Sequence, residues 1–147
     1  MAGLLAGLLT GLQTGCATTQ GGVTIDSARG SFAFVRRVVV GQLPGGIRQI
    51  SQNGREMDSG YFTPDATKFQ IEASQEVERA CAHVQILGSR RPYSINVRVY
   101  REEAKPNGGY RNVGSDEKLS AELARRIRDD LANRREDHNI IDDFRAF

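Results

Sequence analysis

The side chains able to do chemistry in this chain are few and scattered. Its two histidines, His83 and His138, each lack a second ligand at metal spacing. The acidic doublets Asp129–Asp130 and Asp142–Asp143 are sequence neighbours. On a helix, adjacent side chains diverge by about 100°, so neither doublet makes a general acid–base pair. Gly108-Gly109 reads as a turn and not as a phosphate cradle, and no nucleophile elbow, P-loop, dinucleotide fingerprint or calcium loop occurs. Cys81 reads as a core residue of an apolar helix face ahead of a redox or catalytic role. These patterns argue against an enzyme and predict neither metal nor cofactor. What remains is arginine. Of the 20 basic residues only Lys68, Lys105 and Lys118 are lysine. The pairs Arg36–Arg37 and Arg90–Arg91 are candidate contacts for an anionic partner, because a guanidinium grips carboxylates and phosphates with two parallel hydrogen bonds. Composition bias is the competing explanation for so many arginines. A net charge of +2 is too mild to argue for nucleic acid, and none is expected.

The chain opens with MAGLLAGLLTGLQTGC, residues 1–16. Leu4, Leu5, Ala6, Leu8, Leu9 and Leu12 form an uncharged apolar run near the length of a signal-peptide core and short of the ~20 residues that span a bilayer. Thr14-Gly15-Cys16 closes it, with Gln13 where apolar residues are usual. This resembles the lipobox of bacterial lipoproteins. The resemblance implies removal of residues 1–15 and acylation of Cys16, the position carried over as the lipidation site. Because Ala17 and not Asp follows, it also implies anchoring in the outer membrane, facing the periplasm. The competing readings are a signal of another class and a buried Leu/Gly-rich helix. Glycine at every fourth position costs a helix about 1 kcal/mol each, which weighs against the second.

Residues 16–30 follow as a small, polar, flexible tether, and residues 31–147 form one domain, large enough to bury a core without staples. Ser31–Leu43, dense in aromatic and β-branched residues, predicts a strand in which Arg36–Arg37 forms a solvated interruption. Asn53-Gly54 predicts a hairpin between Ile47–Ser51 and Arg55–Phe62. Thr63-Pro64-Asp65 starts a predicted helix to Ala82, with Phe69, Ala73, Val77, Ala80 and Cys81 on its apolar stripe. A second hairpin is predicted over 83–102, turning at 88–92, and a loop over 103–114. Ser115 is expected to cap a last helix whose inner stripe is Leu119, Leu123, Ala124, Ile127 and Leu131. The tail residues Ile140, Ile141, Phe144 and Phe147 are too apolar for a free terminus. They are expected to dock on the sheet or to recruit a partner.

The order predicts an α+β domain: a small, mainly antiparallel sheet with two helices packed on one face. The expected function is that of a non-catalytic, lipid-anchored envelope component. Its expected partners are the membrane, through the anchor, and another envelope protein or an anionic envelope component such as lipid A phosphates or peptidoglycan carboxylates. The alternatives are a small periplasmic enzyme acting on envelope material through the 88–92 turn or the 103–114 loop, and a structural subunit of a larger membrane machine.

Overall fold

The computed structural model describes residues 21–64 and 77–134. Cys16 and the signal-like run, the first part of the expected helix (65–76), His138 and the apolar tail with Ile140, Ile141, Phe144 and Phe147 lie outside the described residues.

The domain is α+β, as its patterning predicts. Eight elements follow in order: β1 (Val23–Ala28), α1 (Phe32–Gln42), β2 (Ile47–Ile50), β3 (Glu56–Ser59), β4 (Glu78–Leu87), β5 (Tyr93–Ala104), β6 (Tyr110–Ser115) and α2 (Glu117–Asn133). All strand pairings are antiparallel, in the order β1-β5-β4-β3-β2. β6 also pairs with β5, beyond the point where β1 stops. The long strand β5 therefore carries two short neighbours end to end along one edge.

The core forms between one face of this sheet and the two helices. Ala80, Ala82, Val84 and Ile86 alternate along β4, and Tyr93, Ile95, Val97 and Val99 along β5. With Ile25 and Met57 they meet Phe34, Val35, Val38 and Val39 of α1 and Leu119, Leu123, Ala124 and Ile127 of α2. Alternation at period two on the sheet and at three to four on the helices is what a single apolar layer between them requires. Near their C-terminal ends the helices are joined by a 2.9 Å hydrogen bond from Gln42 to Asp130.

Several expectations change. Residues 32–42 are helical and not a strand. Ser31 caps the helix by accepting from the Phe34 amide at 3.2 Å. The helical spacing puts all four buried residues on one side and leaves Arg36 and Arg37 in solvent. As a strand, the segment would have sent one arginine of the pair toward the core. The strong β propensity of this run loses to that tertiary demand. The hairpin at Asn53-Gly54 forms as expected between β2 and β3, with Gly54 at φ 67°.

The expected helix to Ala82 is overturned over 78–82, which begins β4, so Cys81 lies on a strand and not on a helix face. The turn at 88–92 is where it was expected, but its strands extend to Glu78 and Ala104. The expected loop 103–114 is instead the end of β5, a tight turn and β6. Its turn is closed by Gly108 N–H to Lys105 O at 3.0 Å and Lys105 N–H to Gly109 O at 2.9 Å. Asp116 and not Ser115 caps α2, accepting from Leu119 N at 2.9 Å. The expected tether contains β1: Val23 and Ile25 pair with Val97 and Ile95, and a bulge with Ser27 at φ 60° turns Ala28 inward. No helix among the described residues is long and apolar enough to cross a membrane.

Candidate functional site

The arginines divide into two populations. Arg101, Arg111, Arg125, Arg126 and Arg134 each have a carboxylate within 4 Å, and so do Arg48 and Arg79 on the sheet face away from the helices. Glu122–Arg126 and Asp130–Arg134 form helical i,i+4 pairs at 3.0 and 2.7 Å. These charges are spent locally. Arg29, Arg36, Arg37, Arg55, Arg90, Arg98 and Arg128 have no carboxylate partner among the described residues.

Four of these gather at one end of the domain, where α1 begins beside the β4–β5 turn. Arg55, just after the β2–β3 turn, is the centre. Its Nη1 donates to the Gly88 carbonyl at 2.6 Å and to the Ile86 carbonyl at 3.3 Å. Its guanidinium lies 4.8 Å over the Phe32 ring and 6.0 Å from that of Tyr93, and the two rings meet edge to face. Arg55 thus joins α1, β3 and the 88–92 turn that carries Arg90 and Arg91. Arg36, one turn into α1, lies against the turn glycine before Arg55: a Cβ on Gly54 would sit 2.9 Å from its Nη1. Arg29 follows Ala28, which pairs with Tyr93. The nearby acids Asp26 and Glu56 hydrogen-bond to Ser94 and Gln85, which β5 and β4 turn away from the helices.

The sequence pairs Arg36–Arg37 and Arg90–Arg91 are therefore only partly united. Arg36 and Arg90 approach through Arg55. Arg37 is exposed farther round α1, and Arg91 has an interaction of its own. Arg55 and Arg29 were missed by sequence reasoning. Both are single arginines, and only the β3–β4 and β1–β5 registers bring them to this end.

The opposite face of the sheet, uncovered by any described helix, carries a second group. His83 Nδ1 and Asp58 Oδ1 are 2.7 Å apart, and Asp58 Oδ2 is 3.5 Å from Arg48. The pair borders a shallow pocket of about 90 Å³ with Gln49, Ser51 and Glu56. No sequence spacing announces it, since the partners are 25 residues apart and meet only through the β3–β4 register. Arg79 pairs with Glu102 at 2.7 Å and is stacked 3.6 Å from both Tyr61 and Tyr110.

Cys81 shares this face yet is buried, and burial, reinforced by Glu102 and Asp58, pushes its thiol pKa up. A protonated thiol is a poor nucleophile. The two segments offered for catalysis, 88–92 and 103–114, lie at opposite ends of β5, roughly 35 Å of extended strand apart. No group of three metal-ligating side chains occurs among the described residues. Comparison with known proteins gave no match: no family model, no curated protein and no solved structure matches the chain.

Proposed function

We propose that this protein is a non-catalytic binding component of the bacterial cell envelope, lipid-anchored through Cys16 at the periplasmic face of the outer membrane. In this reading the arginine end (Arg29, Arg36, Arg55 and Arg90) binds an anionic envelope component. The observation that carries the binding part is the division of the arginines. Seven of the described arginines elsewhere are neutralised by carboxylates, Arg37, Arg98 and Arg128 are not, and these four unneutralised ones meet around the exposed 88–92 turn. Composition bias accounts for many arginines but not for the meeting of four unneutralised ones at one end of the domain. The anchor rests on the lipobox-like end of residues 1–16.

The competing enzyme reading draws its site from the 88–92 turn or the 103–114 loop and gains if the two segments converge on a concave site. Their separation along β5 and the raised pKa of Cys81 weigh against it.

Two measurements test the proposal. The intact mass of protein extracted from membranes of a native-type host should correspond to a chain beginning at Cys16 and carrying acyl groups. A chain that still begins at Met1, or that is cut without lipid, sinks the anchor. Purified mature domain should bind vesicles containing phosphatidylglycerol or lipid A more tightly than neutral ones, and salt should weaken the binding. Arg36→Gln/Arg90→Gln should lose most of that preference, whereas Arg125→Gln, an arginine already neutralised on α2, should keep it. Equal behaviour of the two variants would refute the arginine end.

A further inference from the structure

β2 is the outermost strand of the sheet, and among the described residues its outer edge has no neighbour. Register puts two of its side chains on the face that the helices cover. Ile50 opposes Met57, a core residue, and Ile47 opposes Ser59, which is also buried. Yet Ile47 is 41% and Ile50 44% exposed. The other exposed large apolar residues, Val77, Leu87 and Val113, stand singly elsewhere, so this is the place where the core leaves an apolar strip open. The strip is too small to hold a separate protein. A stable interface covers about 800 Å² on each partner, and two partly exposed isoleucines offer a fraction of that. A segment of the same chain needs far less area, because covalent linkage gives it an effective concentration of about millimolar.

Such a segment leaves the fold close by. Asp130 accepts from Gln42 at 2.9 Å, and the Arg134 guanidinium lies 3.8 Å from where a Cβ on Gly41 would sit. The end of α2 therefore stands at the end of α1, from which residues 43–46 lead directly into β2. Ile140 to Phe147 lie six to thirteen residues beyond Arg134, a reach of about 20–43 Å, while Ile47 is only six residues from Gly41. Charge agrees with this path. Glu136 and Asp137 are the first acids after Arg134, and Arg37, four residues before Gly41 on the same side of α1, is exposed without a carboxylate among the described residues. We propose that segment 135–147 folds back across the end of α1 and closes the open strip. Ile140, Ile141, Phe144 and Phe147 cover Ile47 and Ile50, and Glu136 and Asp137 lie beside Arg37. The apolar tail is then part of its own domain, and the arginine end is left free for a partner.

The test compares the full chain, a chain ending at Arg134, and Ile47→Glu/Ile50→Glu in the full chain. In the full chain the Ile47 and Ile50 methyl groups should show nuclear Overhauser contacts with the Phe144 and Phe147 rings. Truncation should abolish these contacts and shift both isoleucine methyl signals, while those of Leu123 in the core stay in place. Ile47→Glu/Ile50→Glu changes only exposed positions, so the domain should keep its fold. Chymotrypsin should cleave it after Phe144 at least about tenfold faster than the wild-type chain, because the undocked fraction rises with the lost apolar contact. The proposal is overturned by ring contacts to other residues, by isoleucine signals that truncation leaves unchanged, or by equal cleavage of the two chains. Contacts that weaken on dilution also overturn it, since they would put the tail on a second copy. None of these readouts uses an anion or a lipid, so failure here is distinct from failure of the arginine end.

Discussion

The hydroxyl of Ser120 lies 2.9 Å from the backbone nitrogen of Val99 and accepts its hydrogen bond in the interior. Val99 pairs with Ala82 of β4 but has no strand neighbour on its other side, after β1 has stopped pairing at Val97 and before β6 begins at Tyr100. Its carbonyl accepts from the Asp116 amide at 2.8 Å. The first turn of α2 thus takes the place of a missing strand for one residue. Ser59 does the same elsewhere. Its hydroxyl accepts from Ala82 N–H at 2.8 Å, in the bulge between the Asp58–His83 and Phe62–Ala80 pairings. Both serines are almost fully buried, as backbone groups deprived of water and of strand partners require.

Ser120→Ala and Ser59→Ala should each lose about 1–3 kcal/mol of stability, the cost of a buried amide left without an acceptor. The two amides belong to Ala82 and Val99, which face each other across β4 and β5, so the losses should couple and the double variant should differ from their sum. Urea unfolding of the four proteins checks both statements. A loss in either single variant of less than about 0.5 kcal/mol would show that the hydroxyl is replaceable.

Gly60→Ala should destabilise the domain by about 1–3 kcal/mol. A Cβ at this position would stand 2.7 Å from the Gly45 carbonyl oxygen and 3.1 Å from its Cα, so the obstacle is backbone that cannot swing aside. The Gly60 amide also donates to Gly46 O at 2.9 Å, which holds the two segments together. At Gly46 no atom lies within 4 Å of an added Cβ, so Gly46→Ala carries only the cost of its positive φ of 74°. Thermal unfolding should place Gly60→Ala below Gly46→Ala.

Glu122 on α2 gives a pH-dependent contribution of known sign. Hydrogen bonds first from Arg125 and then from Arg126 hold its carboxyl down to about 2, against an ordinary value of 4.5. A depressed folded-state pKa contributes stability that is present above the unfolded value and is lost as the pH falls through the folded one. The window here runs from about 4.5 down to about 2. The pairs are on the solvent side of the helix, so screening keeps the gain to about 0.3–1 kcal/mol. Glu122→Gln should be less stable than wild type by that amount at neutral pH and should match it near pH 2. A constant difference at every pH would contradict the assignment.

Cys81 should resist alkylation. Burial raises its pKa, so in a Cys16→Ser chain, where it is the sole thiol, iodoacetamide should react far more slowly than with a free thiol at the same pH. Adding denaturant should restore the ordinary rate. Fast labelling of the folded chain would reopen the catalytic reading of this residue.

Some of this protein is written directly in its sequence. Asn53-Gly54 between two short polar strands, the clean alternation of Tyr93–Val99 and the capped, charge-laced stripe of α2 are local patterns. Each is produced by neighbours in the chain, so each can be read without knowing what lies across the core. The lipobox-like end and the absence of catalytic motifs are likewise properties of the string itself.

Residues 32–42 were not legible in that way. FAFVRRVVVGQ supports a strand by propensity and a helix by spacing. The choice fell to the layer above the sheet, which needed Phe34, Val35, Val38 and Val39 on one side and both arginines outside. β1 depended on the free edge of β5, and residues 78–82 on their ten-residue pairing partner. The sites follow the same rule. Arg55 meets Gly88, His83 meets Asp58, and Ile47 and Ile50 share the helix-covered face because of strand register. Register is set by which side chains the core excludes from water, a property of the folded chain as a whole that no segment carries alone.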